Sequence, residues 1–388
     1  MFKWVQSGLS AVAGTAEPEY GREAIHPVTD TVQGKQPYRE TIATDFEWNN
    51  PNYTNVETQT FYFNCAQTGY QGLIQVIHSN VMGLNITAQF TFKIYHKDSP
   101  TDFTWTSTKL EDFVISGTNF YAQNLSIVMT DNNEYHIRSS VTADSVVDMK
   151  ITRICPGVIF GENGTTYYGT DKAAPWGSMR HAFWPRASAE GTVKLGEQET
   201  ITISGLSMYS MALQGMKPHH AAATWNFLDF QSENYSAILM EFTTPISYAK
   251  TKVAMGVIVK NDKIVSASID NETVHTKAEI DAVGWPAPSA IEFNFDGYAA
   301  EATNEQIAAG KATKVVAKVS GDLDTLIERV DVMAEVPQFV KSIVSGVAGT
   351  KPYIYQFSNK MTIEVDVNGN VDKEEGIAFN EATFISGQ

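Results

Sequence analysis

Alternation of apolar and polar residues with a period of two, carried through short segments divided by turn residues, limits this chain more than any other property it has. In Thr58-Gln-Thr-Phe-Tyr-Phe-Asn-Cys65 the side chains of Phe61, Phe63 and Cys65 fall on one side of an extended backbone. Comparable segments rich in β-branched and aromatic residues follow at 71–78, 86–95, 103–108, 119–129, 135–142 and 146–154, with Asp131-Asn132-Asn133 as a hairpin tip. No helical period separates them, so the pattern predicts an antiparallel barrel or sandwich.

The pattern is then written a second time, at an offset of about 165 residues. Trp225-Asn-Phe227 echoes Phe61-Tyr-Phe63, and Tyr235-Ser-Ala-Ile-Leu-Met-Glu-Phe242 echoes Tyr70-Gln-Gly-Leu-Ile-Gln-Val-Ile77. Further strands are predicted at 263–269, 290–295, 314–319, 327–333, 353–357, 362–367 and 381–385. A chain of 388 residues is too long for one small core. The reading is therefore all-β, with two tandem antiparallel β-barrel domains at 17–190 and 191–388. The junction is predicted between Trp184-Pro185-Arg186 and Ser204, too short for a free linker, so that the domains pack together.

Two segments follow a helical period instead. At 100° per residue Met1, Phe2, Val5, Leu9, Val12, Ala13 and Ala16 share one face of an amphipathic helix over residues 1–16, closed by Gly14 and Glu17-Pro18. Gln6, Ser7, Gly8 and Ser10 interrupt the apolar run that a secretory signal requires. Such a helix either docks on its own barrel or lies in a membrane interface, inserting Met1, Phe2, Trp4, Val5, Leu9 and Val12. Lys3 is its only basic side chain, so attachment would depend on apolar insertion more than on lipid charge. The second segment, Phe339 to Val347 after Pro337, reads as a helix packed on the barrel or as a second membrane contact.

Charge and composition remove several function classes. Twenty-eight basic residues against 44 acidic ones give a net charge of −16, the wrong sign for nucleic acid. Two cysteines, Cys65 and Cys155, make no disulfide framework and point to a reducing compartment. No stretch approaches the roughly 20 apolar residues needed to span a bilayer. Neither a standard catalytic motif nor metal-ligand spacing is present, so no enzyme activity, cofactor or metal is expected; the alternatives to a binding role are a hydratase- or isomerase-like enzyme of an apolar substrate and a stress-response interaction protein without ligand.

Two aromatic and polar segments remain as candidate binding elements. Pro175 to Arg186 contributes Trp176, Arg180, His181 and Trp184, either closing a barrel mouth or forming a joint in which Arg180 and Arg186 bond carbonyls. Met208 to Ala222 contributes Met211, Gln214, Met216, His219 and His220, with Trp225 just beyond. A small barrel can enclose one elongated apolar molecule while a few polar groups hold its head. That role requires a hollow, apolar interior in at least one barrel.

At these same segments the chain closely resembles the fungal survival factor family. The blocks MFKWVQSGLSAVAG, KQPYRET, QVIHSN, WGSMRHAFWPR, MALQGMKPHHAA, LMEFTTP and FVKSIVSGVAGTKPYIYQF carry the resemblance almost end to end. It implies two lipocalin-like domains, ceramide binding, non-vesicular transfer from endoplasmic reticulum to Golgi, and support of survival under oxidative stress. It also implies membrane contact through the N-terminal helix, with an acetylated Met1, in a cytoplasmic protein peripheral to both membranes and also found in the nucleus. A monomer is expected. Some members carry an acidic insertion between the domains that is brief here, at Glu190 to Leu206.

Overall fold

The computed structural model describes residues 19–81, 83, 85–216, 218–335 and 352–386. Both segments read as amphipathic helices, 1–16 and 339–347, lie outside the described residues.

Two short strands, β1 (Ile25–His26) and β2 (Tyr38–Glu40), precede the long meander β3 (Asn55–Asn64), β4 (Tyr70–Val81), β5 (Asn85–His96) and β6 (Ser99–Lys109). Next come β7 (Val114–Ser116), β8 (Asn119–Ala122), β9 (Leu125–Thr130), β10 (Glu134–Ser139) and β11 (Val146–Arg153). The short β12 (Val158–Phe160) and β13 (Thr165–Tyr168) lead into two long strands, β14 (Gly177–Lys194) and β15 (Thr200–Gln214). These form one antiparallel sheet whose main path runs β6-β5-β4-β3-β15-β14-β11-β10-β9-β8-β7.

The second sheet holds β16 (Thr224–Gln231), β17 (Tyr235–Thr243), β18 (Lys252–Lys260), β19 (Lys263–Ile280), β20 (Pro286–Ala299), β21 (Lys314–Asp322), β22 (Leu326–Asp331), β23 (Tyr353–Val367) and β24 (Asn370–Phe384). Pairing of β21 with the second half of β23 closes eight of these strands into a barrel, while β22 pairs with the first half of β23.

The repeat visible in the sequence survives as topology. The order β5-β4-β3-β15-β14-β11 in the first sheet matches β18-β17-β16-β24-β23-β21 in the second. The two units differ in one respect. In the second, β20 bridges β19 and β21 and closes the ring. In the first, β7, β8 and β9 stand between β6 and β10, and β6 and β7 form the free ends of the path. The first unit is thus a curled sheet rather than the closed barrel expected of it. The β6 edge instead meets the loop before β11 through side chains, where Thr106 Oγ1 and Ser145 Oγ stand 2.7 Å apart.

Most strands run longer than the alternating segments predict, and one predicted strand divides. The segment 119–129 is two strands, because Asn124 adopts φ 62° and turns the chain between β8 and β9. Asp131 and Asn132, at φ 50° and 60°, do make the expected hairpin tip between β9 and β10. The predicted strands 353–357 and 362–367 are one strand, β23. The segments around Trp184 and Met208 are no junction but the central hairpin β14–β15 of the first sheet, and the sheets change between Gln214 and Thr224. The division at 190/191 falls inside β14. Much of β14 is buried on both sides, so the strand carries little alternation to reveal it.

Three cores result. The first lies inside the curled sheet, where Phe61, Ile74 and Phe92 are paired across β3, β4 and β5. A second fills the closed barrel with Leu228, Leu239, Phe293, Ile363 and their neighbours. The third lies between the two sheets and joins Leu73 and Tyr95 of the first to Phe227, Ile238 and Phe379 of the second. That contact explains the unbroken burial of β17 from Tyr235 to Phe242, since the strand faces one core on each side.

Candidate functional site

The joint between the sheets carries an unusual density of buried polar groups. Tyr62, Leu73 and Lys93 lie opposite one another on β3, β4 and β5, on the face turned away from Phe61. Lys93 is almost fully buried, yet its Nζ donates to Glu328 Oε2 at 2.5 Å and Gln356 Oε1 at 2.7 Å, and stands 4.6 Å over the ring of Phe103. Gln356 in turn donates to Glu381 Oε1 at 2.7 Å. Ser358 Oγ donates to Gln71 Oε1 at 2.6 Å across the same boundary.

Asp229 sits beside this chain on β16. Burial pushes its carboxyl up to about 7, against the hydrogen bond from Gln231 Nε2 at 2.7 Å. Burial likewise raises the Glu381 carboxyl and drives the Tyr62 phenol well above its ordinary range. The crevice lined by Tyr62, Gln71, Tyr95, Asp229, Gln231 and Phe379 has a cavity volume of only about 10 Å³. That is room for one water molecule, far below the roughly 300–1,000 Å³ of a ligand pocket.

The predicted binding residues separate into two groups by the parity of β14 and β15. Arg180, Trp184 and Met211 point into the first unit. Trp184 touches the rings of Phe46, Tyr135 and Tyr209 at 5.2–5.6 Å. Arg180 Nη1 donates to Met211 Sδ at 2.9 Å and Nη2 to the Asp45 carbonyl at 2.5 Å; burial lowers its pKa.

His181, Met216 and Trp225 face the joint. His181 lies parallel to Phe183 and edge-on to Trp225, and burial with the neighbouring Arg180 charge lowers its pKa to about 4. Trp176 is 46% exposed and donates through Nε1 to Tyr248 Oη at 2.9 Å. Gln214 Nε2 donates to the Met216 carbonyl at 3.1 Å at the end of β15. His220 is half-buried in the short turn of helix that follows. The side chain of His219 lies outside the described residues. The described members of the set therefore do not share one pocket.

Arg186 carries the joint, in keeping with the carbonyl-bonding reading of its segment. Pro185 has no N–H to give the ladder, and pairing of β14 with β15 shifts register between Trp184 and Ala187. The irregularity turns Arg186 toward the second unit, where it donates to the carbonyls of Ser232, Glu233 and Tyr235 and to Ser236 Oγ at 2.5–3.1 Å.

The expected hollow interior is not found among the described residues. Aromatic rings fill the first unit: Phe61 stacks on Tyr209 at 4.5 Å, and Tyr135 meets both. An open dish of about 450 Å³ lies beside Leu125, Ser139 and Val147, at the ends of β9–β11. Among the described residues no helix is long and apolar enough to cross a membrane, and no group of His, Cys, Asp or Glu could hold a metal ion.

A curled sheet and a closed barrel of related topology, joined through a buried polar and aromatic seam, place the molecule in a class of two-unit all-β proteins. Similar architecture is seen at low sequence identity in an AttH-designated protein of Nitrosomonas europaea (12% identical, TM-score 0.57, covering 91% of this chain and 98% of that one). It is seen again in kievitone hydratase of Nectria haematococca (12%, TM-score 0.52, 90% and 97%). These likenesses describe the fold alone. The chain belongs to the Svf1 family, whose model matches residues 2–386. Its relatives include the ceramide-binding protein SVF1 of Debaryomyces hansenii, 62% identical over the whole of both chains, and that of Candida albicans, 55% identical over the whole of both.

Proposed function

We propose that this protein binds ceramide and carries it between endoplasmic reticulum and Golgi membranes outside vesicles, supporting survival under oxidative stress. The supporting observation is identity of 62% along the entire length of a relative named for ceramide binding. Identity at that level preserves the packing that any ligand must enter.

A filled interior requires the cargo to displace side chains. The first unit is better suited to this than the second, because its sheet is not closed by a ladder between β6 and β7 and can spread without breaking backbone hydrogen bonds. The stripe Met1, Phe2, Trp4, Val5, Leu9 and Val12 supplies the membrane contact. Recombinant protein mixed with phosphatidylcholine vesicles containing ceramide, then separated and analysed by mass spectrometry, is expected to retain ceramide. Absence of retained lipid would leave the second reading, an interaction protein without cargo, which the filled cores favour. Phe2→Asp combined with Leu9→Asp is expected to move the protein from the liposome-bound to the free fraction on flotation.

A further inference from the structure

One end of the first unit's interior contains polar atoms that no group of the protein satisfies. Register sets His78 of β4 opposite Glu57 of β3, and Val76 opposite Gln59. The period of two turns Glu57, Gln59 and His78 to the same inward face as Phe61 and Ile74. His78 is fully buried, and both its ring nitrogens lack a protein partner. The same holds for Nε1 of Trp48 and Oε1 of Gln59, both on buried residues.

These atoms share an aromatic box. The Trp48 ring stands edge-on to His78 with centroids 6.3 Å apart, and Phe113 does the same at 5.8 Å. Phe120 completes the box, 5.4 Å from Trp48 and stacked on Phe113 at 5.6 Å. Gln59 is held by bonds from Nε2 to the carbonyls of Phe46 and Thr118, each 3.3 Å, which leave its oxygen over. Glu57 is no partner for His78, because its carboxylate accepts from the backbone of Asn49 and Asn50 at 2.7 and 3.0 Å.

Burial lowers the His78 pKa, so the ring is neutral and offers one N–H and one lone pair. The box therefore presents two donors, from Trp48 and His78, and two acceptors, from His78 and Gln59, with no free charge. Its complement is an uncharged group that both gives and accepts hydrogen bonds. An ion or a phosphate headgroup would enter uncompensated.

We propose that Trp48, Gln59 and His78 seat the uncharged polar head of the cargo lipid, its amide and hydroxyl groups, while the chains lie along the aromatic interior. The inference rests on the ceramide reading above and adds where the head is held.

The test uses the full chain, vesicles of phosphatidylcholine with ceramide or with diacylglycerol of matched acyl chains, and mass spectrometry of the lipid extracted. At similar bulk His78→Phe removes two unmet ring nitrogens and Gln59→Met one unmet oxygen, while Trp48→Phe removes the unmet N–H together with part of the ring. Each is expected to weaken ceramide uptake about tenfold, the value of one well-placed hydrogen bond, and to narrow the preference over diacylglycerol. The unfolding temperature of His78→Phe should hold or rise, since no protein partner is lost; Gln59→Met also gives up the Nε2 bonds to Phe46 and Thr118, and Trp48→Phe part of a buried ring, so each of these should melt lower. Wild-type uptake matched by all three variants would show that the box holds ordered water only, overturning the head site and leaving ceramide binding intact. A lower unfolding temperature in His78→Phe would show that its ring nitrogens are bonded within the fold, which overturns the head site equally. Wild-type protein that extracts no ceramide would overturn both readings.

Discussion

Replacing Arg186 with Met is expected to destabilise the protein by about 3–5 kcal/mol and to divide a single urea transition into two. Arg186 is 5% exposed and its guanidinium supplies donors to Ser232 and Glu233 on the β16–β17 turn and to Tyr235 and Ser236 at the start of β17. Hydrogen bonds from a charged donor are worth roughly 1.5–3 kcal/mol each, and desolvating the cation offsets part of that sum. Methionine keeps the volume but removes the donor from the Ser232 and Glu233 carbonyls and from Ser236 Oγ, while the Tyr235 carbonyl keeps its bonds from Ser232. Arg186→Lys should recover only part, because an ammonium cannot spread its donors as a planar fork does. Urea denaturation followed by tryptophan fluorescence reads both effects. One transition at the wild-type midpoint would mean that the apolar contact of Leu73, Phe227 and Phe379 holds the units together unaided.

The fold is legible in the sequence where one face of a strand is wet. β3 shows Phe61 and Phe63 on one side, and the β9–β10 hairpin shows its turn in Asp131 and Asn132; both can be read without coordinates. Legibility fails where strands are buried on both sides. β14 has Met179, His181 and Phe183 against the second unit and Ala182 and Trp184 inside the first, so alternation vanishes and the hairpin resembles a junction. Closure is also beyond reach, because it depends on whether β6 finds β10 or is kept from it by β7–β9. That is a matter of pairing across about 30 residues.

The candidate site shows the same division. In Glu57-Thr-Gln-Thr-Phe-Tyr-Phe63 the polar Glu57 and Gln59 share parity with Phe61 and Phe63, and in Ile74-Gln-Val-Ile-His78 the histidine shares parity with Ile74 and Val76. Polar residues on an inward face are therefore visible in the sequence, but the segments denser in tryptophan and methionine give a stronger compositional signal and mask them. Nothing local points to the partners of Lys93, since Glu328 and Gln356 lie 235 and 263 residues away in the chain. Long-range ion pairs of this kind leave no periodic trace.

Asp229 gives the seam a dependence on pH whose sign can be stated in advance. Its carboxyl is held at about 7 in the folded protein, against an ordinary 3.8, and burial is the cause. Between those values the folded protein keeps a proton that the unfolded chain has released, so stability falls as pH rises from about 4 to about 7 and the full penalty persists above. Asp229→Asn removes the titration while keeping an oxygen for Gln231 Nε2. The variant is expected to gain about 3–4 kcal/mol over wild type at pH 8 and almost nothing below about pH 3, where the carboxyl is neutral in both states. Glu381, raised in the same direction, and Tyr62 stay in place in both proteins, so the difference between the two curves isolates position 229. Urea midpoints at several pH values measure it. A constant offset, or none at pH 8, would mean that Asp229 is ionised and well solvated in the folded seam.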